Sequence, residues 1–142
     1  SIPDLCFLAV GQSPLIPQMR ARCQELGIDA VFTGRVPHAE VGKYFAASDV
    51  GLYPGDRDWY FDGACPIKVL EYAAARKPVV ATDLEELRRL SLPNVILSAP
   101  ESRSFGRCIV AGFQRSWPSP DMAHFSWGAL AEEFLSVLGN GF

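Results

Sequence analysis

The chain has 142 residues, of which 49% are hydrophobic and 20% charged, and its formal net charge is −3. That length suits one domain able to bury a real core, and no apolar run approaches the roughly 20 residues of a membrane span. The acidic balance, with no basic stripe, argues against a nucleic-acid partner.

In chain order, "LCFLAVG" (Leu5–Gly11) reads as a buried strand ending in glycine. "PLIPQMRARCQELG" follows with helical spacing: Leu15, Met19, Cys23 and Leu26 share one face, and Gly27 suits a C-terminal cap. "AVFTG" (Ala30–Gly34) is a second strand, and "HAEVGKYFAASD" repeats the helical pattern through Val41, Phe45 and Ser48. "VGLYP" (Val50–Pro54) is a third strand, followed by the irregular, aromatic "GDRDWYFDGAC". Pro66 suits the first turn of a helix running to about Arg76. "PVVAT" and "NVILS" (Asn94–Ser98) are the fourth and fifth strands, with Asp83 placed to cap "LEELRRL" between them. The segments around Phe105–Phe113 and Trp127–Leu138 read as closing helices.

Strands that are continuously apolar are covered on both faces, and with a helix between successive strands they indicate a parallel sheet. The predicted fold class is therefore α/β, a doubly wound, Rossmann-like parallel sheet. No repeat, low-complexity segment or interdomain linker interrupts residues 1–142. The four cysteines, Cys6, Cys23, Cys65 and Cys108, are scattered without a C-x-x-C pair, which argues against a zinc site or a disulfide scaffold. They read as reduced, buried cysteines of a cytosolic protein. The start "SIPDLCFLAVGQ" has neither the charged region nor the cleavage site of a secretory leader.

Ligands in doubly wound folds sit beyond the carboxyl ends of the strands. Here those ends are Gly11-Gln12, Gly34-Arg35, Tyr53–Pro66 and Thr82-Asp83. One stretch on that face, "PIKVLEYAAARKPVVAT", places a lone lysine and a lone glutamate, Lys68 and Glu71, in an apolar run. Either the two pair at i,i+3 spacing, worth about 0.2–0.5 kcal/mol, or they line a cleft and hold a ligand. Asp56, Arg57 and Asp58 read as a solvated loop tip, and Trp59, Tyr60 and Phe61 as loop packing. No His, Cys or carboxylate cluster has metal-ligand spacing, so no metal is expected.

"VFTGRVPHAEVGKYFAASDVGLYP" followed by "PIKVLEYAAARKPVVATD" resembles the nucleotide-sugar-binding C-terminal domain of GT-B-fold retaining glycosyltransferases of the family 4, group 1 type. "FLAVGQSP" is similar to that family's strand-glycine entry, and "FSWGALAEEFLSVL" to its terminal helix, which packs toward the partner domain. The resemblance implies that Glu71 binds the ribose hydroxyls of the donor, as a carboxylate accepting two hydroxyls can. It implies that backbone amides near Cys65, Pro66, Ile67 and Lys68 meet the diphosphate at a helix start, with Lys68 adding charge. Gly34, Arg35 and Val36 resemble the segment that flanks the nucleobase, and Gly11 suits a close backbone approach.

The chain also departs from the pattern. Many members carry an earlier glutamate near the transferred sugar. Its place here is Gly63, and Asp62, one position off, is the nearest acid that could substitute as a catalytic group beside Glu71. Arg76 stands where the helix normally ends in glycine. The family's first strand-helix unit and its acceptor-binding N-terminal domain have no counterpart in residues 1–142, so the expectation is a fragment of a longer enzyme, inactive alone. The implied partners are a nucleoside-diphosphate sugar (UDP or GDP type) and the N-terminal domain, with no further cofactor. The implied location is cytoplasmic, open to a peripheral membrane position through the missing domain. A GT-B-like nucleotide-sugar epimerase domain, or a degenerate binding module of the same fold, are the alternative readings.

Overall fold

A computed structural model describes residues 2–57 and 62–139. Asp58, Trp59, Tyr60 and Phe61, read above as loop tip and loop packing, lie outside the described residues. The elements alternate as read: β1 (Cys6–Ala9), α1 (Ile16–Glu25), β2 (Asp29–Phe32), α2 (His38–Ala47), β3 (Gly51–Tyr53), α3 (Ile67–Ala74), β4 (Val79–Thr82), α4 (Glu85–Leu90), β5 (Val95–Ser98), α5 (Ser102–Gln114) and α6 (Trp127–Gly139). A 3-10 turn, Ala123–Phe125, precedes α6.

Every strand ladder is parallel, as strands joined through helices must be. The sheet, however, is in two pieces. β1 pairs with β2, in register Cys6 to Asp29, and separately β3, β4 and β5 pair in that order. The predicted α/β class with parallel strands holds, and among the described residues those strands form two ladders.

The core explains this asymmetry. β4, the central strand of the larger piece, is buried at all four residues because α3 and α5 cover its two faces. Val69 and Ala73 of α3 join Val79, Ala81, Leu84, Leu87 and Leu92 in one apolar cluster. Gly51 opens β3 because the Tyr72 ring lies on it: a Cβ there would stand 2.6 Å from the ring. Tyr72 in turn meets Phe45 of α2 edge-on, with centroids 4.6 Å apart. By contrast, no residue of β1, α1, β2 or α2 is fully buried.

The helix ends follow local chemistry. Gly27 ends α1 at φ 65°, its amide donating to Gln24 and that of Ile28 to Cys23, the paired bonds of a Schellman cap. α3 ends in the same motif: Arg76 donates to Ala73 and Lys77 to Tyr72, with Arg76 itself at φ 57°. A non-glycine residue thus occupies the left-handed position, at a cost of about 1–2 kcal/mol.

One expectation needs correcting. The four cysteines are free thiols, but none is buried: Cys6 and Cys65 are exposed, Cys23 and Cys108 half-buried. Trp127 is 88% exposed, while Trp117 is half-buried and donates to the Gly112 carbonyl. No helix among the described residues is long and apolar enough to cross a membrane.

Candidate functional site

The first two strand ends are tied together. The Gly11 amide donates to the Gly34 carbonyl at 3.1 Å and to Thr33 Oγ1 at 3.4 Å, and that hydroxyl donates to the Gly34 carbonyl at 2.8 Å. Gly11 has φ 121° and Gly34 φ 68°, and among the described residues nothing beyond their chain neighbours comes within 4 Å of either Cβ position. Glycine is therefore required there by backbone conformation rather than by crowding. Gly11, Arg35 and Val36 line a cleft of about 1680 Å³, with Lys68 on its wall. The structure thus brings together four of the residues singled out from widely separated stretches of sequence.

α3 supplies the other wall. Pro66 is buried at the N-cap position rather than inside the first turn, so the helix begins at Ile67. No side chain caps this end. The amides of Ile67, Val69 and Leu70 already donate to the carbonyls of Cys65 and Pro66, so Lys68 is the positive group this end presents most openly. Its ammonium is 2.8 Å from Glu71 Oε2, with side chains 62% and 27% exposed respectively. Lys68 also stands 6.0 Å over the Phe45 ring.

Lys68 and Glu71 form an i,i+3 ion pair, and Lys68 lines the main cleft. Glu71 lines a smaller adjoining hollow of about 330 Å³ with His38, Val41, Gly42 and Phe45. The Tyr72 hydroxyl is held above its ordinary pKa, chiefly by burial and then by the Glu71 charge. Cys65 and Ile67 are exposed beside the helix start.

Asp62 is differently engaged. Its carboxylate accepts the Glu85 amide at 3.2 Å, which satisfies a donor at the start of α4. That is the task expected of Asp83, which instead accepts both Nε and a terminal nitrogen of Arg88. Arg57 adds a 3.0 Å bond to the Asp83 carbonyl and a 3.4 Å bond to its carboxylate. The Arg88 hydrogen bond, then the charges of Arg88 and Arg57, hold the Asp83 carboxyl below its ordinary value despite partial desolvation. This clamp joins the loop after β3 to the end of β4, so Arg57 is no plain solvated tip. Sequence reasoning missed it, because Asp83 to Arg88 matches no helical spacing and Arg57 is 26 residues distant from Asp83. Among the described residues no group of three or more His, Cys, Asp or Glu is gathered to hold a metal.

Parallel strands alternating with helices, with glycine turns and a basic helix start meeting at the strands' carboxyl ends, define a Rossmann-like α/β domain. Residues 1–112 match the family described as "Glycosyl transferases group 1", and the chain belongs to that family. It is also 34% identical over 95 residues to "Putative teichuronic acid biosynthesis glycosyltransferase TuaH" of Bacillus subtilis (strain 168). That match covers 66% of this chain and 23% of TuaH.

Proposed function

We propose that this chain is the donor-binding domain of a glycosyltransferase that moves a hexosyl group from a nucleoside-diphosphate sugar to a glycan or lipid-linked acceptor, with retention. The observation that carries this reading is the convergence of Gly11, Arg35, Val36 and Lys68 on one cleft beside the start of α3. The name of TuaH, a glycosyltransferase of teichuronic acid biosynthesis, supports a role in building glycans.

In this reading the Lys68–Glu71 pair exchanges partners when donor binds. Lys68 turns its ammonium to the diphosphate, and Glu71 accepts the two ribose hydroxyls. Each charge is partnered both before and after binding, which keeps the cost of exchange small. Arg35 and Val36, after the Gly34 turn, flank the nucleobase, and Gly11 admits the ligand close to the backbone. Charge developing on the departing diphosphate is stabilised by Lys68 and the end of α3 rather than by a metal. For Asp62 to act near the transferred sugar it must first release the Glu85 amide. The acceptor is held by an N-terminal domain of the same parent chain, in the cytoplasm, and residues 1–142 alone do not turn over.

Calorimetric titration of UDP, GDP and ADP tests this, on the 142-residue chain and on the full open reading frame that contains it. At least one nucleotide should bind the longer protein with a millimolar or tighter dissociation constant. Failure of all three with the longer protein removes the donor site.

A further inference from the structure

We propose that Arg57, Asp83 and Arg88 are positioning residues: they latch the connection between β3 and α3 onto the β4–α4 turn, so that Asp62 stays engaged with α4 and becomes free for the transferred sugar only when the latch opens. The role at the sugar rests on the function proposed above, whereas the latch stands on its own contacts.

Two contacts from this connection land on the same short turn. Arg57 donates through Nε to the Asp83 carbonyl at 3.0 Å and through a terminal nitrogen to the Asp83 carboxylate at 3.4 Å. Further along the same connection, Asp62 accepts the Glu85 amide at 3.2 Å. The turn they grip is firmly seated: the Asp83 amide donates to the Ser98 carbonyl at 2.8 Å, and Leu84 and Leu87 belong to the apolar core. The fixed half of the latch is therefore anchored in the core, and the connection is the half that can move.

Chain entropy couples the two contacts. With Arg57 in place, the stretch that Asp62 must pin runs only from Arg57 to the start of α3 at Ile67. With Arg57 released, it runs from the end of β3 at Tyr53. The cost of closing a loop grows with its length, so the Asp62 contact weakens when Arg57 lets go. Arg88 completes the arrangement. It donates Nε to one Asp83 oxygen at 2.6 Å and a terminal nitrogen to the other, the fork by which arginine fixes a carboxylate. That second oxygen, Oδ2, is the one Arg57 uses. Arg88 thus holds the acceptor in place for Arg57.

The latch is weak enough to open. The Arg57 and Arg88 side chains are 49% and 55% exposed, and exposed ion pairs contribute little. The Arg57 arm, with the longer contact to the carboxylate, releases first. A plain helix cap makes no such demand, because it needs only the Asp62–Glu85 bond.

Glu85 is the reporter. As the first residue of α4, its amide has no acceptor within the helix, so its protection reads the Asp62 contact directly. Amide exchange at single-residue resolution is measured on the full-length protein, without nucleotide. Asp62→Ala should speed Glu85 exchange about fivefold or more, the scale of one lost hydrogen bond. Arg57→Gln and Arg88→Gln should each speed it about two- to fivefold, the scale of an exposed ion pair, while the amides of β4 and α5 keep the parent rates. Arg57→Lys restores the charge and should return the Glu85 rate towards that of the parent. Arg57→Gln combined with Asp62→Ala should exchange no faster than Asp62→Ala alone. A Glu85 rate unmoved by Arg57→Gln, by Arg88→Gln or by Asp62→Ala overturns the proposal. So does a double variant faster than Asp62→Ala, which would make the contacts independent. No recovery in Arg57→Lys, or a rise spread evenly over β4 and α5, overturns it too, the latter by marking a general loss of stability. A parent protein that shows the coupled rates but binds no UDP, GDP or ADP sinks the donor reading and leaves the latch standing; uncoupled rates in a nucleotide-binding protein do the reverse.

Discussion

Replacing Glu71 by glutamine separates the two roles that Glu71 combines. The change keeps the side chain's shape and removes its charge. What folding loses is the pairing with Lys68, at 2.8 Å but with the lysine 62% exposed. Exposed i,i+3 pairs are worth about 0.2–0.5 kcal/mol. In a domain of this size that lowers Tm by about 1–2 °C. What binding loses is a charged acceptor for the ribose hydroxyls, about 1–3 kcal/mol, or roughly 5- to 150-fold in Kd. Thermal melts and calorimetry on the same preparations give both numbers. Lys68→Ala completes the experiment: it should weaken the nucleoside diphosphate more than the bare nucleoside, because its partner in the bound state is phosphate. Spectroscopic titration offers an internal check, since removing the Glu71 charge should ease Tyr72 ionisation relative to the parent chain. Unchanged affinity in Glu71→Gln removes Glu71 from the ribose, and equal losses for both ligands in Lys68→Ala remove Lys68 from the phosphate.

Arg76→Gly should raise stability by about 0.5–1 kcal/mol, because relief of the left-handed strain at φ 57° outweighs the added freedom of the unfolded chain; a lower Tm would contradict the strain argument. Gly51→Ala should cost about 1–3 kcal/mol by forcing a methyl against the Tyr72 ring, and Tyr72→Leu in the same chain should recover part of that loss. Asp83→Asn should be less stable than the parent at pH 7. Because pairing depresses the Asp83 pKa, that deficit should shrink as pH falls below the ordinary value of 3.8 and vanish once the parent's own Asp83 protonates, as urea midpoints from pH 7 to 2.5 would report. A chelator should leave nucleotide affinity unchanged, since among the described residues no metal-binding cluster is gathered; strict dependence on a divalent ion would refute the metal-free site.

Local signals were legible because they are physical constraints on a few neighbouring residues. The strands announced themselves as apolar runs, Gly27 as the only residue type that ends α1 without strain, and Pro66 as the entry to α3. The order of these elements was enough for the α/β class and, with the quoted motifs, for the family to which the chain belongs. The meeting of Gly11, Gly34, Arg35 and Lys68 followed from a general property of parallel sheets: successive strands point the same way, so their ends collect on one face.

What the sequence by itself could not determine is which partner each polar or apolar group would find across the fold. Asp62 and Asp83 were equally able to cap α4, and the path of the loop after β3 gave that task to Asp62 and left Asp83 to Arg57 and Arg88. Glycine at position 51 carries no local turn signal, and only the Tyr72 ring resting on β3 explains it. The division of the sheet was hidden for the same reason. β1 is as apolar in sequence as β4, yet β4 has strands on both sides and helices on both faces, whereas β1 has one strand and an open cleft. Apolar character shows that a strand must be covered; only the tertiary structure shows whether it has been.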